Sequence, residues 1–134
     1  MSAAMTGPEV APMLSDQVFS RTAGAHLVPG NSVRILQDAR ENYPAWIEAI
    51  ESARRFVHFE NYILHDDAVG ERFAGVFMAK AREGVPVRII YDWIGCVGTP
   101  RSFWRRLREA GVDVRSFNPP RLDQPLGWVT RDHR

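Results

Sequence analysis

The stretch Gly84 to Gly98, GVPVRIIYDWIGCVG, constrains the fold more than any other part of the chain. Gly84 follows a helix-period segment as a C-terminal cap does. Val85 to Tyr91 is β-branched and aromatic apart from Pro86 and Arg88, and Gly95, Gly98 and Pro100 end the run. A nearly continuous apolar run of this length predicts a central strand of a parallel sheet, covered on both faces. In such sheets ligands sit at the carboxyl ends of the strands. Asp92 and the loop after it are therefore the first place to look for chemistry.

The flanking segments supply the rest of such a sheet. Leu14 to Ala23 predicts a short helix behind a small, polar N-terminal tail, so that residues 1–25 read as flexible tail and short helix. Pro29-Gly30-Asn31 is a turn leading to a first short strand, Val33 to Gln37. A helix follows from about Tyr43, with Pro44 tolerated in its first turn and Trp46, Ile50 and Ala53 on one face. Phe56 to Leu64 reads as a strand. Asp66 or Asp67 caps a helix ending near Glu83, whose buried stripe is Val69, Phe73, Val76, Phe77 and Ala81. Beyond the central strand, Arg101 or Ser102 to Ala110 is a helix with Phe103, Trp104 and Leu107 inward, Gly111 closes it, and Val112 to Phe117 is a further strand. Alternating strands and helices predict an α/β fold with parallel strands joined by right-handed crossovers. From Asn118 onward, Pro119, Pro120, Pro125 and Gly127 predict an ordered loop or lid.

Composition narrows the function. The 134 residues amount to one domain, and 17 basic against 16 acidic side chains leave no overall field to attract nucleic acid. The single cysteine, Cys96, has no partner for an internal disulfide, which favours a reducing compartment. No apolar run approaches the roughly 20 residues of a membrane-spanning helix, and the N-terminus lacks the pattern of a signal peptide. The expected location is cytoplasmic, or peripheral at the inner face of the cell membrane.

Several side chains are candidates for a site. On a strand, the period of two places Phe56, His58, Glu60, Tyr62 and Leu64 on one face, so His58, Glu60 and Tyr62 form a polar cluster near the carboxyl end. Glu60 reads either as a partner that orients a catalytic histidine or as a carboxyl held in structural hydrogen bonds. Asp92 has the same two readings, with capping and loop fixing as the plainer one. His65-Asp66-Asp67 forms a turn and cap rather than a metal site, and no cation near Cys96 in sequence marks it as a nucleophile. Arg101, Arg105, Arg106 and Arg108 make either a solvated helix face or a contact for anionic headgroups or phosphate. Trp93, Ile94 and Trp128 lie in loops, where they pack inward or touch acyl chains.

The strings Gly30-Asn31-Ser32-Val33, Phe59-Glu60-Asn61-Tyr62-Ile63, Gly84-Val85-Pro86-Val87-Arg88, Asp92-Trp93-Ile94-Gly95 and Arg131-Asp132-His133-Arg134 occur in this order over His26 to Arg134. In order and spacing they resemble the first half of a phospholipase D superfamily protein of the cardiolipin synthase type. The resemblance implies a three-layer α/β sandwich with a mixed, mostly parallel sheet flanked by helices, residues 26–134 being an N-terminal half-domain incomplete at its C-terminus. It also implies a catalytic motif His-x-Lys-x-x-x-x-Asp, of which this sequence carries His133 and the following Arg134. The abrupt end at Arg134 predicts truncation inside that motif.

Family members carry two such motifs, and the site forms where two pseudo-symmetric halves meet. His133 is then the catalytic residue, with His58, Glu60, Asp92 and Asn118 as candidate support and Arg101 and Arg105 as candidate headgroup contacts. The implied partners are an anionic phospholipid such as phosphatidylglycerol and a second half or second copy, with peripheral membrane contact and neither metal nor cofactor. The implied reaction is phosphatidyl transfer through a phosphohistidine, and this chain alone is expected to show no turnover. The alternatives are a phosphodiesterase or nuclease of the same superfamily, the latter disfavoured by the balanced charge, and a fragment without catalytic activity.

Overall fold

A computed structural model describes residues 10–120; His133, Trp128 and the proline-bearing stretch after Pro120 lie outside the described residues. The chain falls into two compact units, Met1–Ile35 and Leu36–Arg134.

In the first unit, helix α1 spans Val10–Ala23. Gly24 closes it at φ +64°, and the Leu27 amide donates to Ser20 Oγ at 3.1 Å. The strand expected at Val33 to Gln37 does not form. Val33 is 90% and Ile35 82% exposed, with no ladder on either side of them. A β-branched run becomes a strand only when a neighbouring backbone takes its hydrogen bonds, and none does so among the described residues.

The second unit runs α2 (Ala39–Ser52), β1 (Val57–Asn61), α3 (Ala68–Arg82), β2 (Val87–Asp92), α4 (Arg101–Glu109) and β3 (Asp113–Phe117). Its sheet has the order β1-β2-β3, parallel at both pairings, with Phe59 beside Ile89 and Ile89 beside Val114. The expected α/β architecture, a parallel sheet flanked by helices, is what the chain adopts. β1 is shorter than the expected Phe56 to Leu64. It stops at Asn61 because the next residues turn toward the loop after β2.

Local chemistry starts each helix. Asp38 caps α2 by accepting from the Arg40 amide at 2.8 Å, while Glu41 reaches back to the Gln37 amide at 3.1 Å. This paired cap sets the start at Ala39, ahead of the expected Tyr43, and puts Pro44 inside the helix. Asp67 caps α3, with Oδ1 accepting from Val69 and Gly70 at 3.0 and 2.8 Å. At the other end of α2, the buried Lys80 of α3 donates from Nζ to the Glu51 carbonyl at 2.9 Å and to Glu83 at 2.6 Å. That lysine satisfies a helix-end carbonyl which would otherwise lack a partner.

The core lies between these helices and one face of the sheet. Phe77, Phe103, Ile89 and Leu107 are the largest fully buried side chains. Phe77 meets Phe59 with ring centroids 4.9 Å apart, and Tyr91 stacks on Trp104 at 3.9 Å. β2 is central, as expected, but it is not covered on both faces by the described residues. Val87, Ile89 and Tyr91 are buried, whereas Arg88 is exposed and Ile90 remains 42% exposed. The charge at Arg88 within the apolar run is the mark of that alternation. Among the described residues, no helix is long and apolar enough to cross a membrane.

Two stability outcomes follow from this packing. Phe77→Ala is expected to cost about 3–5 kcal/mol in denaturant unfolding, because the side chain is wholly enclosed. Gly75→Ala, in α3 with nothing within 4 Å of the added Cβ, is expected to stabilise by roughly 0.5–1 kcal/mol in the same assay.

Candidate functional site

Parallel strands present their carboxyl ends together, so the loops after β1 and β2 lie at the end of the sheet where ligands of such folds collect. The two loops are tied to each other. Asp92 Oδ1 accepts from the Ile94 and Gly95 amides at 2.9 and 3.0 Å, which winds the chain into a tight turn as soon as β2 ends. That turn brings Gly95 against the Tyr62 carbonyl so closely that a Cβ would stand 2.0 Å from the oxygen. Cys96 then takes the place of a strand neighbour. Its Sγ accepts from the Leu64 amide at 3.2 Å and donates toward the Tyr62 carbonyl at 3.7 Å. Thr99 Oγ1 donates to the Leu64 carbonyl at 2.7 Å and stands 3.5 Å from His65 Nδ1.

These contacts assign several candidates. Asp92 fixes the loop through one carboxylate oxygen, which both backbone amides share. Cys96 is a buried hydrogen-bonding thiol, and burial pushes its pKa up, away from the thiolate a nucleophile needs. Asp67 is a helix cap, and among the described residues no cluster of three or more histidine, cysteine or carboxylate side chains stands in position for a metal.

Asp66 belongs to a surface cluster with Glu71 of α3 and Arg106 of α4. Arg106 donates to Glu71, lies 3.9 Å from Asp66, and sits over the Phe103 ring at 5.6 Å. The Arg106 hydrogen bond, helped by one to Asp66, holds the Glu71 carboxyl below the ordinary range. The hydrogen bond to Glu71 pushes Asp66 up, so the two carboxyls share the proton unequally. Sequence spacing gave no hint of this cluster, whose members come from a loop and two helices.

The other candidates fall on different surfaces. His58 and Glu60 project from the open face of β1, beside Arg88 and Ile90 of β2, and line a shallow groove of about 340 Å³ with Phe59. His58 leans on Phe56, with ring centroids 4.7 Å apart, and its Nε2 stands 3.4 Å from Arg88 Nη1. Tyr62 lies beyond the end of β1 and so outside the face that carries the pair. Asn118 follows β3 in the left-handed region, at φ 50°. Arg101 and Arg105 lie on α4, which packs on the buried face through Phe103, Trp104 and Leu107; Arg105 pairs with Glu109 at 3.7 Å, and Arg108 donates to the Val114 carbonyl at 3.4 Å. Arg88 was not among the sequence candidates. Its signal was a lone charge inside an apolar run.

Gly95→Ala is expected to destabilise by roughly 1–3 kcal/mol in denaturant unfolding, because the methyl collides with backbone that cannot retreat. For the surface cluster, Glu71 has the depressed pKa. Its contribution to stability is present above its unfolded pKa and lost as pH falls through the lower folded one, while raised Asp66 acts in the opposite sense. Arg106→Met is therefore expected to move the Glu71 titration upward in carboxyl-detected NMR, with little net change in the acid limb of unfolding.

No family model matches the chain, and no solved structure does. Curated relatives do. Cardiolipin synthase of Oceanobacillus iheyensis is 36% identical over 104 residues, 78% of this chain and 22% of that protein. That of Alkalihalophilus pseudofirmus is 35% identical over 105 residues, 78% of this chain and 21% of that protein, and that of Listeria monocytogenes is 40% identical over 99 residues, 74% and 20%. The chain thus spans about a fifth of the length of the relatives it matches. Identity at this level over three quarters of the chain, on an α/β fold with parallel strands, makes it a cardiolipin synthase-like sequence of the phospholipase D superfamily.

Proposed function

We propose that this chain supplies part of a phosphatidyltransferase of the cardiolipin synthase type. The observation that carries the reading is its 35% to 40% identity to curated cardiolipin synthases over about three quarters of its length. The loops tied together at the carboxyl ends of β1 and β2 support it, because transfer chemistry needs groups held at fixed positions before substrate arrives.

His133 is the residue of this chain that takes part in the chemistry, within the motif that begins there. A phosphodiester in reaction places negative charge on its equatorial oxygens, and the lysines of the paired motifs supply fixed positive charge against it. One imidazole forms a bond to phosphorus as the bond to the leaving alkoxide breaks, and the histidine of the other half gives that alkoxide its proton. The same second histidine then takes the proton of the incoming hydroxyl as the phosphorus–nitrogen bond breaks, regenerating the first imidazole. His133 fills one of these two roles. With an alcohol such as phosphatidylglycerol as acceptor the result is transfer, and the protein works at the membrane surface where both lipids reside.

A chimera tests the proposal: the matched stretch of this chain, extended to Arg134, replaces its counterpart in the Oceanobacillus iheyensis relative. It is expected to form cardiolipin from phosphatidylglycerol, to be unaffected by a chelator, and to lose activity by about 10³-fold or more with His133→Ala. The 134-residue chain alone is expected to show no turnover above background. A folded chimera without activity, or full activity after His133→Ala, would show the reading to be wrong.

A further inference from the structure

The loop between β1 and α3 is anchored on both sides of His65. The Leu64 amide donates to Cys96 Sγ at 3.2 Å, and the Leu64 carbonyl accepts from Thr99 Oγ1 at 2.7 Å. The His65 carbonyl lies against Gly70, where an added Cβ would collide with its oxygen. Asp66 stands 3.9 Å from Arg106 of α4, and Asp67 caps α3 through Oδ1. Between these anchors the His65 backbone has little freedom, and its exposed side chain is presented at the carboxyl end of the strands.

The hydrogen bonding of Thr99 then fixes the ring. Thr99 is buried, and its hydroxyl has a single proton to give. A carbonyl only accepts, so that proton lies on the bond to Leu64, and the hydroxyl oxygen turns a lone pair toward His65 Nδ1, 3.5 Å away. The proton between them therefore belongs to Nδ1. In a neutral imidazole a proton on Nδ1 leaves Nε2 an acceptor. That nitrogen lies across the ring from Thr99, and it has no partner among the described residues.

An acceptor held in this way selects a ligand that carries a donor. A phosphodiester anion has none, whereas an alcohol has one. We infer that His65 is a specificity-determining residue for the acceptor alcohol, its Nε2 accepting from the hydroxyl next to the one that reacts, with Thr99 the residue that positions the ring. A glycerol headgroup carries two such neighbouring hydroxyls and water does not, so the contact favours transfer over hydrolysis. His65 forms no bond to phosphorus and moves no proton, and the two motif histidines keep those roles. The contact lies at the ends of the strands and asks for neither face of the sheet to be uncovered. The inference rests on the phosphatidyltransferase reading for the alcohol, and on the loop geometry for the ring.

Nitrogen NMR of the imidazoles in the 134-residue chain, at a pH where histidine is neutral, tests the geometry. The Nδ1–H tautomer is expected at His65 in the wild type and in Thr99→Ser, with a shift toward Nε2–H in Thr99→Val. In the chimera, dihexanoyl phosphatidylglycerol below its micelle concentration is expected to move the His65 Nε2 resonance. Dihexanoyl phosphatidylpropanol, of the same charge but without hydroxyls, is expected to leave it in place. His65→Ala in the chimera is expected to lower the ratio of cardiolipin to phosphatidic acid by about threefold to tenfold, the effect of one hydrogen bond. Water then replaces the alcohol at the same phosphorus–nitrogen bond, and the second histidine takes the proton of either. His65→Gln, whose amide oxygen also accepts, is expected to recover part of the ratio. An Nε2–H tautomer in the wild type, equal responses to the two lipids, or an unchanged ratio in an active His65→Ala chimera overturns the inference. Should Thr99→Val not fold, the wild-type tautomer still decides. A chimera without turnover removes the transferase reading, and the lipid titration then decides by itself whether His65 binds the hydroxyl.

Discussion

The packing of Phe73 and Phe77 from α3 onto Phe59 of β1 is the contact on which the second unit depends. The three rings lie 4.9 to 6.0 Å apart, and Phe77 has no exposed surface. Aromatic burial of this kind dominates the energetics of a small core. It fixes the crossover between β1 and β2 on one side of the sheet, and with it the direction in which every side chain of those strands points. Tyr43 and Trp46 of α2 join the same seam against Phe73, so α2 is placed by the rings that place α3. A second stack, Tyr91 on Trp104, does the same for α4.

From that seam the chain reaches the carboxyl end of the sheet, where backbone pairing gives out and side chains replace it. Leu64 has its amide on Cys96 and its carbonyl on Thr99, so the β1 chain stays tied to the β2 loop after the ladder has stopped. Two glycines allow the close fit: at Gly95 and at Gly70 a Cβ would collide with the carbonyls of Tyr62 and His65. A loop held this way keeps its shape without a ligand. Pre-organisation of that kind lowers the cost of positioning a reacting group.

The two surfaces of the sheet do different work. One is filled by α2, α3 and α4. The other carries His58, Glu60, Arg88 and Ile90, which are exposed among the described residues. The balanced net charge of the chain conceals this, since the charges that matter are arranged locally and cancel in the sum. The basic residues of α4, readable from sequence as a solvated face or a headgroup contact, are partly engaged within the protein: Arg105, Arg106 and Arg108 each have a partner there.

What the sequence determined by itself was whatever depends on near neighbours along the chain. The Asp67 cap, the buried stripe of α3, the turn at Asp92 and the strand between Gly84 and Gly95 were all legible, because each rests on residues within a few positions of one another. The Asp38 and Glu41 cap was equally local, and Pro44 drew attention away from it. The family was legible too, through strings whose order survives even where each is weak. Tertiary structure alone decided whether Val33 to Gln37 would find a strand to pair with, and among the described residues it found none. It decided that Cys96 and Thr99 would complete the end of β1, that Arg106 would join Glu71 and Asp66, and that Arg88 would stand between His58 and Asp113 of the neighbouring strands. Such outcomes depend on hydrogen bonds and charges supplied from some 30 positions away in the chain, where no periodicity in the sequence can register them.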